Sequence, residues 1–393
     1  MFFKKVPEEI RNILFHVGHP AHVHFLKNTL WNLQERGYNI YIAATDKEVT
    51  LQLLNAYGFK YDVVGKNVMG MRNKALNTIK MEMKLLKLIK KYEVDLLVGV
   101  GSIYMAHAGI LTRRHYINFG DTEISKFDWL LLPFSDVLIR PTCYKEEVYG
   151  DKEIRYNGYK ELAYLHPNYF KPDPKVLEEM ELSKDDRYII LRFISGTALH
   201  DIGLGGIRKG TETDFIKSLE HYGRVFISSE RKLDKNLEKY RITIPPEKIH
   251  SLLYYADLYI GEGGTMAVEA AILGTPSIHI ESTSKGIATG ELSGNFIELR
   301  DKYGLLYFYP DQNKALEKAI EILENGNAKR EWQRKRGRLL SEKIDVTAWM
   351  TDFIERYPDS FYEYKLKCEG DVKSEKSRGR TENQNPFIRC ASR

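Results

Sequence analysis

The chain has 393 residues, of which 43% are apolar and 29% charged, with a formal net charge of +5. That length and balance suggest two domains with real cores and exclude a disordered or fibrous chain. The positive charge is too weak to argue for nucleic acid, which is not expected as a partner, and is compatible with an anionic ligand or membrane surface.

Three cysteines, Cys143, Cys368 and Cys390, show no metal spacing, so a reducing, cytoplasmic compartment is expected. The opening MFFKKVPEEI lacks the apolar core of a signal peptide, and no apolar run approaches the ~20 residues that span a bilayer.

In chain order, NILFHV (12–17) reads as a buried strand. Val23, Leu26, Leu30 and Leu33 then share one helical face, which ends at Gly37. YNIYIAA is a second strand, KEVTLQLLNAYG a helix and FKYDVVG a third strand. A lysine-rich amphipathic helix covers about 73–92 and offers either a core-facing stripe or a membrane-surface element. VDLLVGVG (94–101), HYINFG (115–120) and DVLIRP (136–141) are further strands. Strands apolar on both faces, alternating with helices, imply a parallel sheet flanked by helices.

The pattern weakens over 156–175, where three prolines and several aromatics mark a boundary. It resumes with strands at 187–193, 224–229, 257–261 and 276–280, and helices near 211–221, 248–255 and 265–273. LEKAIEILENG, KREWQRKRGRLLSEKI and VTAWMTDFIERY are three closing helices, the second read as a solvated basic face. From about Tyr362 the chain is polar, and a disordered tail is expected over 362–393. The domains are expected at 1–157 and 158–344, each doubly wound, with ligands at the carboxyl ends of the strands.

The sharpest motif is DLYIGEGGTMAVEAAILGTPSIHI (257–280), a strand, a glycine turn, a helix and a strand. Gly263 and Gly264 let the backbone approach a phosphate, and the helix start presents open N–H groups and a positive dipole end. Thr265 can cap that helix or donate its hydroxyl. Glu269 suits ribose hydroxyls better than phosphate; the bland alternative is a solvated glutamate on a tight turn.

GEGGTMAVEAAILGTPSI resembles the nucleotide-binding signature of glycosyltransferase-B-fold enzymes, among them the non-hydrolysing UDP-N-acetylglucosamine 2-epimerases and the lipid-II N-acetylglucosaminyltransferase. GHPAHVHFLKNTLWNLQERGYNIYIAA resembles the first glycine loop and helix of that superfamily, and the whole pattern is closest to an uncharacterised prokaryotic subfamily. The resemblance covers about 12–355. It implies an α/β fold of two Rossmann-like domains facing a cleft, with the nucleotide on the second domain and the sugar or acceptor on the first. It also implies that the helix at 345–358 crosses back to the first domain, and that the base lies against Ile249 to Leu252.

Other candidates follow. In LRFISGTALHDIGLGG (191–206), Arg192, Ser195, Gly196 and Thr197 can meet phosphate, and His200 matches only loosely a reactive loop of the 2-epimerases. In NFGDTEIS (118–125), Asp121 and Glu123 can act as a base or cap the next helix. The segment FHVGHPAHVHFL holds four histidines, His16, His19, His22 and His24. His22 and His24 start a helix about 200° apart, so the four do not converge on one metal ion. Gly18 and His19 are candidates for the sugar or its phosphates and His22 for the acid/base group, with His16 and His24 structural.

There is no Asp-X-Asp pair, which favours metal-free stabilisation of the leaving diphosphate by helix ends and basic side chains. VGVGSIY (98–104) is a partial dinucleotide fingerprint whose third glycine position is Tyr104, and no cofactor is called for. The expected function is a glycosyltransferase using a nucleoside-diphosphate sugar, with UDP as the expected nucleotide, in glycan or cell-envelope polysaccharide synthesis. The alternatives are a 2-epimerase-like isomerase, with Asp121, Glu123 and His200 as its acid/base groups, or a nucleotide-sugar-binding module. The acceptor would be a glycan or lipid-linked, with peripheral contact at the inner membrane face as an option.

Overall fold

The computed structural model describes residues 9–66, 71–120, 123, 131–145, 150–194, 205–208 and 210–367. The chain forms two compact units. One runs to Tyr164 and takes up the chain again from Ile344; the other is Leu165–Lys343.

The first unit contains β1 (Asn12–Val17), α1 (Pro20–Glu35), β2 (Asn39–Asp46), α2 (Thr50–Ala56), β3 (Asp62–Lys66), α3 (Met71–Lys91), β4 (Leu96–Val100), α4 (Ile103–Thr112), β5 (His115–Phe119), β6 (Val137–Pro141), β7 (Glu153–Tyr156) and α5 (Leu162–Leu165). Its seven-stranded sheet has the order β3-β2-β1-β4-β5-β6-β7, and every adjacent pair is parallel. The central strands are apolar on both faces; Ile13, Leu14, Phe15, Leu96, Leu97 and Val98 are all fully buried.

The second unit contains α6 (Lys175–Glu179), β8 (Tyr188–Phe193), α7 (Glu212–Glu220), β9 (Arg224–Ser229), α8 (Ile249–Tyr255), β10 (Leu258–Gly261), α9 (Gly264–Leu273), β11 (Ser277–Ile280), α10 (Gly294–Ile297), β12 (Leu306–Tyr309), α11 (Gln312–Glu324) and α12 (Ala328–Glu342). Its five strands have the order β12-β11-β10-β8-β9, again all parallel. Both units are therefore Rossmann-like. In each sheet the winding reverses at one place, between β1 and β4 and between β8 and β10. Ligands of such sheets collect at the carboxyl ends of the strands flanking that reversal.

The last helix, α13 (Val346–Glu355), packs in the first unit. Asn32 Nδ2 donates to Thr351 Oγ1 at 3.2 Å, and Arg36 pairs with Glu355. The chain stays with the first unit through α5 because the Ala163 carbonyl accepts from Asn28 Nδ2 (2.8 Å) and Thr347 Oγ1 (2.5 Å).

Two features depart from the sequence reading. Helix extends over 359–367, past the expected start of a disordered tail. Tyr364 explains this, because its hydroxyl accepts from Arg155 N and donates to Arg155 O, while Lys365 Nζ donates to Glu153 O. The helix thus satisfies the open edge of β7, the last strand of its sheet. The basic stretch of α12 is also not simply solvated. Lys329 Nζ donates to Ala256 O (2.5 Å), Gln333 Nε2 to Leu273 O (2.9 Å) and Arg336 Nε to Ile272 O (3.0 Å). These side chains meet the carbonyl ends of α8 and α9, where cations complement the dipole.

Candidate functional site

At the reversal of the second sheet, β10 runs beside β8, with Gly261 opposite Arg192. A Cβ on Gly261 would lie 2.5 Å from the Arg192 carbonyl oxygen and 2.6 Å from its nitrogen, so only glycine fits. Gly263 has a φ of 82° and serves as the N-cap of α9; a Cβ there would lie 2.8 Å from Ile194 Cγ2. The helix begins at Gly264, one residue earlier than expected. Thr265 is consequently not its cap but an exposed residue of the first turn. Among the described residues no side chain caps α9, and its first turn carries no acid. The dipole end and its amide groups face the carboxyl edge of the sheet, an arrangement suited to an anion.

Arg192 ends beside this turn, but its charge is matched within the unit. Nη1 donates to Ser228 Oγ at 2.7 Å and Nη2 pairs with Glu230. Glu269 lies further into α9 and is only 5% exposed, which overturns the alternative of a solvated glutamate. Its Oε1 is 3.0 Å from His250 Nε2 on α8, itself 3% exposed and packed edge-on against Phe170. The segment Ile249 to Leu252 is thus a turn of helix whose histidine holds the glutamate.

Sequence reasoning missed Glu262. Its Oε2 accepts from Ile194 N (3.0 Å) and its Oε1 from Ile207 N (2.9 Å). One carboxylate thereby ties the end of β8 to residues 205–208 and to the glycine turn. Burial pushes the Glu262 carboxyl above its usual value, against the lowering effect of the two amide donors. The signal was an acid inside a turn read as an anion site, where a negative charge has no direct use.

In the first unit the β1–α1 turn lies at the corresponding reversal. Gly18 N donates to His22 Nδ1 at 3.3 Å, so a neutral His22 carries its proton on Nε2. His19 is the N-cap of α1, where its Nδ1 accepts from Ala21 N at 3.2 Å and Pro20 takes the first helical turn. Its Nε2 lies 3.9 Å from Glu48. His16 meets Thr45 Oγ1 at 3.2 Å, and His24 meets the Tyr57 hydroxyl at 3.2 Å and stacks on Tyr164. The four histidines therefore have separate partners. Glu123 is buried and accepts from the Lys145 backbone N–H. Asp121, Ser195, Gly196, Thr197 and His200 lie outside the described residues.

The structure thus groups Arg192, Gly263, Gly264 and Thr265 around one turn, with Glu269 deeper in the same helix. It places Gly18, His19 and His22 together on the β1–α1 turn of the other unit.

Solved structures share this fold. The UDP-GlcNAc 2-epimerase of Methanocaldococcus jannaschii, in complex with UDP-GlcNAc and UDP, superposes with a TM-score of 0.58 at 16% identity, covering 84% of this chain and 99% of that one. The S. aureus MnaA–UDP co-structure gives 0.59 at 13% identity, covering 89% and 98%. MurG of Acinetobacter baumannii gives 0.54 at 14% identity, covering 88% and 99%. These likenesses establish the glycosyltransferase-B fold. A protein of M. jannaschii described as uncharacterized, MJ0665, is 24% identical over 267 residues, which is 65% of this chain and 78% of that protein. Residues 12–289 match the family described as "Protein of unknown function (DUF354)", and the chain belongs to that family.

Proposed function

We propose that this protein is a metal-independent glycosyltransferase that takes its sugar from a nucleoside diphosphate, with UDP as the carrier. The observation that carries the reading is the β10–α9 turn. Its glycines are imposed by contact with Arg192 and Ile194, and its helix start has no side-chain cap among the described residues. Diphosphate would rest on the amide groups of Gly263, Gly264 and Thr265, which stabilise the charge that builds as the sugar departs. Glu269, oriented by His250, would take the ribose hydroxyls. That two solved neighbours are complexes with UDP supports the choice of nucleotide. The acceptor, a glycan or lipid-linked alcohol, needs a base, for which His22, Asp121, Glu123 and His200 are the candidates.

Calorimetric titration with UDP tests the nucleotide site. Glu269→Ala is expected to weaken binding at least tenfold, about 1.4 kcal/mol. Glu269→Gln keeps an acceptor for His250 and separates loss of ribose contact from loss of fold. If both variants bind UDP as the wild type does, the assignment is wrong. Incubation with UDP-N-acetylglucosamine and no acceptor separates the chemistry. A transferase leaves the sugar's configuration unchanged; appearance of the 2-epimer would favour the isomerase.

A further inference from the structure

Helix α3 has a surface that the nucleotide site does not use. Between Asn77 and Lys91 every exposed residue is Ile79, Lys80, Met83, Lys84, Lys87, Lys90 or Lys91. At about 100° per residue these seven sweep roughly 140° of the helix, with Ile79 and Met83 at one side and most of the lysines at the other. The opposite face, with Met81, Leu85, Leu88 and Ile89, fills the core.

Two observations separate this face from an ordinary solvated one. First, Ile79 and Met83 are 55% and 54% exposed and Leu111 of the neighbouring α4 is 65% exposed. Among the described residues these are three of the five most exposed large apolar side chains. Leu111 lies one turn beyond His107, which bonds Glu82 of α3 at 2.6 Å, so it belongs to the side of α4 turned toward α3. Second, none of the five lysines forms an ion pair among the described residues. Lys84 reaches the Val63 carbonyl and Lys91 the Tyr92 hydroxyl. The similarly basic α12 instead pairs Lys335 with Glu331 and Arg338 with Glu342.

Lysines that form no ion pair among the described residues, beside apolar side chains left exposed by those residues, call for an anionic and apolar occupant. We infer that this face of α3, with Leu111, docks on an anionic bilayer, the lysines meeting headgroup phosphates and Ile79, Met83 and Leu111 entering the acyl boundary. A soluble polyanion would use the lysines and leave the apolar group without a role.

Sedimentation of the full chain with lipid vesicles tests this. Binding is expected to vesicles holding about 30% phosphatidylglycerol in phosphatidylcholine and not to phosphatidylcholine alone, and to weaken in about 0.5 M salt. The double change Ile79→Asp, Met83→Asp should lower vesicle affinity about tenfold, as should Lys80→Gln with Lys87→Gln. Both pairs are on the surface, and unchanged melting temperatures would show that the fold is intact. The inference is overturned if the wild type ignores the anionic vesicles, or if the aspartate variant binds them as tightly. It is equally overturned if the lysine variant binds the anionic vesicles as tightly as the wild type.

Discussion

Glu262→Ala is expected to destabilise the second unit by about 2–4 kcal/mol, and Glu262→Gln by about 1–2 kcal/mol. The carboxylate accepts two backbone N–H groups, from Ile194 and Ile207, that alanine would leave without a protein partner. Glutamine keeps one acceptor oxygen, so one donor would face an amide nitrogen. Relief of the buried charge acts in the opposite direction. Two orphaned donors at about 1–3 kcal/mol each outweigh it, since the charge already has those two donors as partners. The sign of the pH effect follows from the raised carboxyl value. Stability from this group is full below the ordinary value of 4.5 and declines as pH rises through the raised folded value. The deficit of the glutamine variant should therefore be largest near pH 4.5 and shrink toward neutrality. Urea unfolding at several pH values measures both points. UDP affinity should fall in parallel, because Glu262 holds the end of β8, and hence Ile194, against Gly263. An alanine variant within about 0.5 kcal/mol of the wild type would refute the role.

What could be read in the sequence divides along a physical line. Strands buried on both faces announce themselves as apolar runs, so NILFHV, RYIILRF and DLYIG were legible. β7 was not, because its sequence EIRY places Glu153 and Arg155 inside. They pair at 2.6 Å and are 1% exposed each, so hydropathy reports polarity where the structure has core. β12 was also missed; it is an edge strand, only half buried along its length. The partners that hold 359–367 in place lie some two hundred residues earlier, and composition alone reads such a segment as tail.

The site divides in a similar way. Glycines at a strand–helix turn have a local cause, so GEGGT and GHPAH pointed to the carboxyl edges of both sheets. Roles that depend on distant partners did not show. Arg192 is matched by Glu230 and Glu269 is held by His250, pairings set by strand order and helix packing. The winding reversal between β8 and β10 brings Glu262 onto both stems of a segment more than fifty residues earlier in the chain. No periodicity in the sequence carries that order.

Acidification from pH 6.5 toward 3 is expected to cost the first unit as much as about 5 kcal/mol through His16 alone. The ring lies inside β1 at 4% exposure; Nε2 meets Thr45 Oγ1, and Nδ1 has no hydrogen-bond partner among the described residues. Burial, with a smaller contribution from nearby His22, lowers its pKa from 6.5 to about 3. The folded chain therefore keeps His16 neutral while the unfolded chain takes up a proton below about pH 6.5. Its contribution is intact above that value and is lost as pH falls, at about 1.4 kcal/mol per unit. That slope matters against a usual total of about 5–15 kcal/mol. His16→Leu removes the titration and the orphaned nitrogen while filling most of the space. Carboxylates titrate alike in both proteins, so the difference between their urea-unfolding curves isolates His16. By about pH 4.5 the variant should have lost about 3 kcal/mol less than the wild type. Proton resonances of the His16 ring should also stay at the neutral position at about pH 5, while an ordinary histidine has become charged. Parallel stability curves, or a His16 ring that titrates near 6.5, would show that the fold does not exclude the proton from β1.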